Sequence, residues 1–352
     1  LNIRKTELYG YLNDLMIEAL KPAGEAMVQF TLAGDPADFR AIAWDNSRDR
    51  FLVGTASKGQ VLAVTMDGEV EVLLQADDGN GLWAVTGLFA DERRNRLWVS
   101  SAAIPEFAGF KSGQENQGGL FEFNLESLDL LGTYLIPVDP VRHELGSIAV
   151  SDEGHVYVVD RGAPIVYRKV PDADRIEAFV GSPELVSFSD IAVAPDNSRL
   201  FVSDAVKGIF VVDPVAQQAS MLTGPPELNL GGIGGIEYSM GHLFLVQGGM
   251  EPQRLMRLKL DGTGSGVESV SPMAVAIDEF NKPGVVTQMG GQLYYFANAG
   301  EENSEAGSIV MRTAMDAGNE IVPPDMRKLQ QTIREKQLQK QQEKEQQEKQ
   351  QN

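Results

Sequence analysis

Short apolar runs recur along this chain, and turn residues close each of them. The clearest copy is residues 190–213, DIAVAPDNSRLFVSDAVKGIFVVD. Ile191-Ala192-Val193 is followed by the turn Pro195-Asp196-Asn197-Ser198, then by Leu200-Phe201-Val202, a polar Ser203-Asp204 corner and the run 209–212. Runs this short, rich in β-branched and aromatic residues, predict strands rather than helices.

The arrangement repeats. Runs 41–44, 51–53, 61–64 and 70–74 form a first set, with Met66-Asp67-Gly68 as the hairpin turn before its last member. Runs 87–89, 97–99, 120–123 and 132–136 form a second, and 147–150, 156–159, 165–167 and 177–180 a third. The fourth is the stretch above plus 219–222, and the fifth is 235–238, 243–246, 255–260 and 266–270. A sixth holds 274–277, 285–287 and 293–296. Six four-stranded sets at a spacing of roughly 40–60 residues predict an all-β fold, a six-bladed β-propeller. The sixth set needs an outer strand, from either Met27–Leu32 or residues 308–315. The N-terminal strand is expected there, paired with 293–296, because closing the ring with both chain ends removes an exposed sheet edge.

Outside the repeats, residues 11–20 (YLNDLMIEAL) predict a short amphipathic helix that Pro22 and Gly24 end. Residues 101–118 interrupt the second set between its second and third strands. This loop either shapes a pocket or contact surface on the face where inner strands begin, or is a surface excursion. After Pro323-Pro324 the chain becomes rich in Gln, Lys and Glu, with apolar positions only at its start. That segment predicts a helix that docks by its first turns and then frays. The expected organisation is therefore a lead over 1–26, a propeller over 27–322 and a helical tail over 323–352.

Composition narrows the function. Net charge is −20, which disfavours nucleic acid. No apolar run is long enough to predict insertion in a membrane. The absence of cysteine removes thiolate metal sites and Cys nucleophiles. The sequence starts at Leu1, and export to the periplasm or beyond is the expectation, with a cytoplasmic location the alternative.

Three stretches carry a family resemblance: 190–213, 235–261 (GIEYSMGHLFLVQGGMEPQRLMRLKLD) and 285–298 (VVTQMGGQLYYFAN). They resemble the SMP-30/gluconolactonase/LRE-like six-bladed propellers, in a poorly characterised bacterial branch. The resemblance implies a divalent cation, such as Ca²⁺ or Zn²⁺, at the top of the central channel, polarising a lactone carbonyl and activating water. Its four ligand positions fall on Arg40, near Gly146, on Asp190 and near Gly234. Of these only Asp190 can bind a cation, and Arg40 puts a fixed positive charge there. The resemblance thus implies a propeller with a degraded metal site, binding a small molecule or a partner protein on its top face. The alternative is a metal-dependent hydrolase of lactones or esters with a rearranged site.

The remaining candidates sit at strand starts and corners. His143 beside Glu144 is the best acid–base pair, since histidine titrates near neutral pH. The bland alternative is an exposed loop histidine. Asp38, Arg40, Arg142, Asp160, Arg161, Asp204, Gln247 and Gln288 are candidate ligand contacts on the top face. Asp160 and Asp204 occupy equivalent corners, where an Asp can instead accept hydrogen bonds from turn N–H groups. Asp190 and Arg40 are expected to pair across the channel. Gly231-Gly232-Ile233-Gly234-Gly235 has neither the strand nor the Lys-Ser/Thr of a phosphate loop, and predicts a close approach of the chain to the channel wall.

Overall fold

The computed structural model describes residues 17, 20–181, 185–226, 228–300 and 307–319. Two units divide the chain, Leu1–Glu320 and Ile321–Asn352. The second, with the expected helical tail, lies outside the described residues, as does the expected helix over 11–20 apart from Ile17 and Leu20.

The first unit is a six-bladed β-propeller. Its inner strands are Phe39–Asp45, Ala84–Asp91, Leu145–Val150, Phe188–Val193, Ile233–Ser239 and Gly284–Met289. Each packs against the next, and the last against the first. Apolar side chains alternate to both faces of each blade, so the cores lie between blades. Phe201, Ile209 and Val211 of the fourth blade meet Ile236, Leu245 and Met256 of the fifth. An aromatic seam joins the sixth blade to the first. There Phe51 lies edge-on to Phe30, Trp44 and Tyr294, and Phe39 stacks on Phe296 with centroids 5.9 Å apart.

The sixth blade differs from the expectation in two respects. Met27–Leu32 is the outer strand of the sixth blade, but its partner is Ser308–Ala314, which in turn pairs with Gln292–Phe296. Residues 308–314 are thus the third strand, and both chain ends contribute to the blade. Residues 274–277 do not open this blade. Ala274 and Val275 end the outer strand of the fifth, Val267–Val275, where Pro272 pairs with Met256 and a register shift absorbs Met273. Ala23–Gly24 adds a short fifth strand beyond it. The N-terminal segment therefore crosses from the edge of the fifth blade to the edge of the sixth.

Every inner strand carries a register shift near its start. The bulged positions are Arg40, Thr86, Gly146 with Ser147, Ser189, Gly234 and Val285. A bulge bends its strand and re-aims the local side chains, so the six form a ring of irregular backbone around the top of the channel. Neighbouring blades are bonded at this level. Thr86 Oγ1 donates to Leu145 O, and Ser100 Oγ to Gly146 O at 2.6 Å.

Candidate functional site: the upper channel

The positions that the resemblance assigns to metal ligands lie at this ring of bulges. Gly146 contributes no side chain, and the guanidinium of Arg161 covers it. A Cβ on Gly146 would meet Arg161 Nε at 2.7 Å and Cζ at 2.9 Å. Arg161 follows the second strand of the third blade. Its Nε donates to Ser189 O and its Nη2 to Ser147 Oγ, both at 3.3 Å. Gly234 stands against the sixth blade, where its Cβ would meet Gly284 Cα and Pro283 O at 3.1 Å. The glycine run thus lets two inner strands approach closely, as its sequence predicts.

Asp190 is buried, and both its oxygens are engaged. Oδ1 accepts from Ile191 N at 2.8 Å, and Oδ2 accepts from Ile236 N of the fifth blade at 2.7 Å. Ser147 also bonds to the carboxylate. Burial pushes the Asp190 carboxyl above the usual range, against these hydrogen bonds and the Arg161 charge, which pull it down. Arg161, not Arg40, is the cation that acts on Asp190. Burial lowers the Arg161 pKa, as does the charge of Arg40, while Glu144 and Asp190 raise it.

Arg40 is incompletely satisfied. Its Nη2 lies 4.0 Å from Glu106, a half-exposed carboxylate in the insertion of the second blade. Its Nε is buried, with no hydrogen-bond partner among the described residues. Two hollows meet at this side chain. One is a cavity of about 290 Å³ along the channel. The other, of about 410 Å³, lies over the first blade between Asp35, Asp38, Lys58 and Glu106. The insertion forms one wall of it. Phe107 packs on Ala56 and Ile104, and Ala108 N donates to Ser57 O at 2.8 Å.

The channel holds a carboxyl that sequence reasoning missed. Glu237 lies two residues past the level of Asp190 and lines the same cavity. Gln288 Nε2 donates to its Oε1 at 3.3 Å. Burial, and then the charge of Asp190, push its pKa up to about 8. Gln288 itself sits toward the far end of its inner strand, beside Glu237, rather than at the top face.

The other candidates hold turns. His143 is buried rather than exposed: its Nδ1 lies 2.5 Å from Asp160 Oδ2 and its Nε2 3.2 Å from Asp139 Oδ1. Asp160 Oδ1 accepts from the N–H groups of Glu144, Gly162 and Ala163. Glu144 does not meet His143 side chain to side chain; its carboxylate pairs with exposed Arg142 at 2.8 Å. Asp204 accepts from Val186, Ser187, Val206 and Lys207. Asp38 holds the N–H and hydroxyl of Ser57. Gln247 bonds to Asn229 O and Gly231 O and accepts from Arg254, fixing the glycine-rich segment.

The residues at the ring do not fit a divalent cation. Two positions are glycine, two guanidiniums stand close by, and the one carboxylate is committed to backbone N–H groups. Among the described residues, no three His, Cys, Asp or Glu side chains gather as metal ligands.

Solved structures share the fold. The major allergen of Malassezia sympodialis, Mala s 1, superposes with a TM-score of 0.60 at 15% identity, over 83% of this chain and 96% of its own. A gluconolactonase from Xanthomonas campestris gives 0.55 at 14%, over 83% and 89%. The PQQ-bound aldose sugar dehydrogenase of Streptomyces coelicolor gives 0.55 at 15%, over 84% and 99%. No protein-family model matches the sequence, and no curated protein matches it. At these identities the likeness defines the class of fold, a six-bladed propeller.

Proposed function

We propose that this chain is a ligand-binding propeller of the SMP-30/gluconolactonase/LRE-like kind, in which the metal centre has been replaced by a guanidinium. It takes a small molecule into the upper channel. The observation that carries this reading is Arg161, whose side chain covers Gly146 where a ligand of the ion would project. A cation on a side chain repels a divalent ion and attracts an electron-rich ligand. The channel cavity, of about 290 Å³, lies just below the size range of small-molecule sites, and Arg40, Asp190, Glu237 and Gln288 are polar groups in its lining. Export belongs to the same reading, and fractionation of the host cell tests it.

The competing reading is a metal-dependent hydrolase of lactones or esters. The two are separated by assaying lactone hydrolysis in the full chain with and without EDTA, and by titrating Ca²⁺ and Zn²⁺ calorimetrically. Binding alone predicts no chelator-sensitive turnover and no stoichiometric metal uptake. Chelator-sensitive hydrolysis lost in Asp190→Ala would sink the proposal.

A further inference from the structure

We infer that the hollow over the first blade is a second ligand site, and that it takes a zwitterion, an α-amino acid with an apolar side chain. The ligand's carboxylate meets Arg40 and Lys58, its ammonium meets Glu106, and its side chain lies against Phe39 and Leu62. This site stands apart from the one proposed for the channel, and neither requires the other.

Charges of both signs face this hollow, and three of them are uncommitted. Arg40 donates no hydrogen bond among the described residues; its Nε is buried, and its Nη2 reaches only to 4.0 Å from Glu106. That contact aims the guanidinium at the hollow, because Glu106 lines the hollow and not the channel. Lys58 is exposed at the rim, with no ion pair or hydrogen bond among the described residues. Glu106 has its side chain 53% exposed and meets only Arg40. The other two carboxylates are held: Asp38 accepts the N–H and hydroxyl of Ser57, and Asp35 accepts Ala37 N at 3.0 Å. An exposed pair this long contributes little, so both partners are open to a ligand, and a planar guanidinium fits a carboxylate. A simple anion would meet three carboxylates against two cations. A zwitterion adds no net charge, and an α-amino acid carries both charged groups on one carbon, which suits a guanidinium and a carboxylate 4.0 Å apart.

The walls supply the apolar contact and fix the acid. Phe39, stacked on Phe296, and Leu62 are buried residues of the lining, and Ala33 and Ala37 add to it from the segment that enters the first blade. At about 410 Å³ the hollow falls within the size range of small-molecule sites. Glu106 comes from the insertion of the second blade, which is pinned beside it. Phe107 packs on Ala56 and Ile104, its N–H donates to Ile104 O at 3.0 Å, and Ala108 N donates to Ser57 O at 2.8 Å. Ser57 is also the residue that holds Asp38, so the insertion and the first blade form one rim. A long loop tied down in this way holds a functional side chain in place.

The test is calorimetric titration of the full chain at pH 7 with L-leucine, with isocaproate, which lacks the ammonium, and with isoamylamine, which lacks the carboxylate. L-Leucine is expected to bind at one site, and each analogue to bind about tenfold more weakly. Glycine, which has no side chain to lay on Phe39 and Leu62, should also bind about tenfold more weakly. Glu106→Gln and Lys58→Gln alter the hollow and not the channel. The first should weaken leucine about tenfold and the second, at an exposed position, about threefold. Circular dichroism and thermal melts check that both variants fold. Leucine affinity unchanged in both variants puts the ligand elsewhere and overturns the site. Either analogue binding as tightly as leucine overturns the zwitterion, and glycine doing so overturns the apolar contact. Leucine failing to bind at millimolar concentration overturns the inference as a whole, and the channel reading then still stands or falls on its own metal and hydrolysis tests.

Discussion

The carboxylate of Asp190 accepts the backbone N–H of Ile236 at 2.7 Å, across the boundary between the fourth and fifth blades. An Asp on one inner strand thus replaces the ladder partner that the neighbouring inner strand cannot find at the channel wall. Its other oxygen holds Ile191 N, and Arg161 balances the charge. Asp190→Ala leaves two N–H groups without their acceptor and removes the negative charge that faces Arg161. It is expected to cost about 3 kcal/mol or more, and Asp190→Asn less, because one acceptor remains. Urea unfolding at unchanged slope measures both. A loss below about 1 kcal/mol in Asp190→Ala would mean that the contact is not structural.

Much of this architecture is legible in the sequence, and the parts that are not have physical causes. Runs such as 51–53 and 200–202 stand out because a propeller strand is apolar on both faces. Residues 308–314 were harder to place, since residues 297–307 separate them from Phe296 and break the spacing. Residues 274–277 read as a new strand, yet the fifth blade's outer strand runs through Pro272, which pairs with Met256 beside the bulged Met273. The six inner-strand bulges have no residue signature, being filled by Arg, Thr, Gly-Ser, Ser, Gly and Val. The site suffered for the same reason. Glu237 in GIEYS reads as an outward residue of an alternating strand, and only the ring puts it inside a channel. Arg161 was legible as a candidate but not as the cover of Gly146.

Close approach at the channel wall makes Gly87 sensitive. A Cβ there would meet Gly146 O at 2.1 Å and Ser100 Oγ at 2.5 Å, and the first of these is backbone. Ser100 already donates to that carbonyl. Gly87→Ala forces the second and third blades apart, and is expected to destabilise by about 3 kcal/mol or to prevent folding. Gly262→Ala is the control, because a Cβ there meets nothing within 4 Å. Thermal melts of the two variants compare them directly, and equal melting temperatures would refute the close approach.

His143 is predicted to act on stability alone. It lies between Asp139 and Asp160, and Asp160 is fully buried with three backbone donors on its other oxygen. His143→Ala removes the partner of a buried carboxylate oxygen and opens a cavity. The expected cost is about 2–4 kcal/mol. Affinity for a ligand of the channel should stay within about twofold at 25 °C, since the ring does not line the channel. A large affinity change without loss of stability would return His143 to the site.

Removal of residues 1–32 tests the closure of the ring. The truncation strips Met27–Leu32 from Ser308–Ala314 and Ala23–Gly24 from the fifth blade. It also removes Phe30, which packs edge-on against Phe51. An apolar strand then becomes a free edge, which promotes pairing with other chains. The truncated chain is expected to melt at lower temperature and to associate, seen as a rise in mass by light scattering. A monomer of unchanged stability would show that the N-terminal strand is not needed for closure.

Glu237 gives the protein a pH dependence of known sign. Its carboxyl is raised from 4.5 to about 8 in the folded chain. Between those values the folded state holds a proton that the unfolded state has released. Stability therefore falls as pH rises through this window and levels off above it. At pH below the unfolded value the group makes no difference, since both states are protonated. The slope is at most about 1.4 kcal/mol per pH unit, and less where water enters the channel. Glu237→Gln removes the term: the variant should match the wild type near pH 4 and exceed it progressively up to about pH 8. Urea midpoints taken at each pH for both chains measure the difference. If that difference stays constant from pH 5 to 8, Glu237 is ionised throughout, and burial in the channel does not hold its proton.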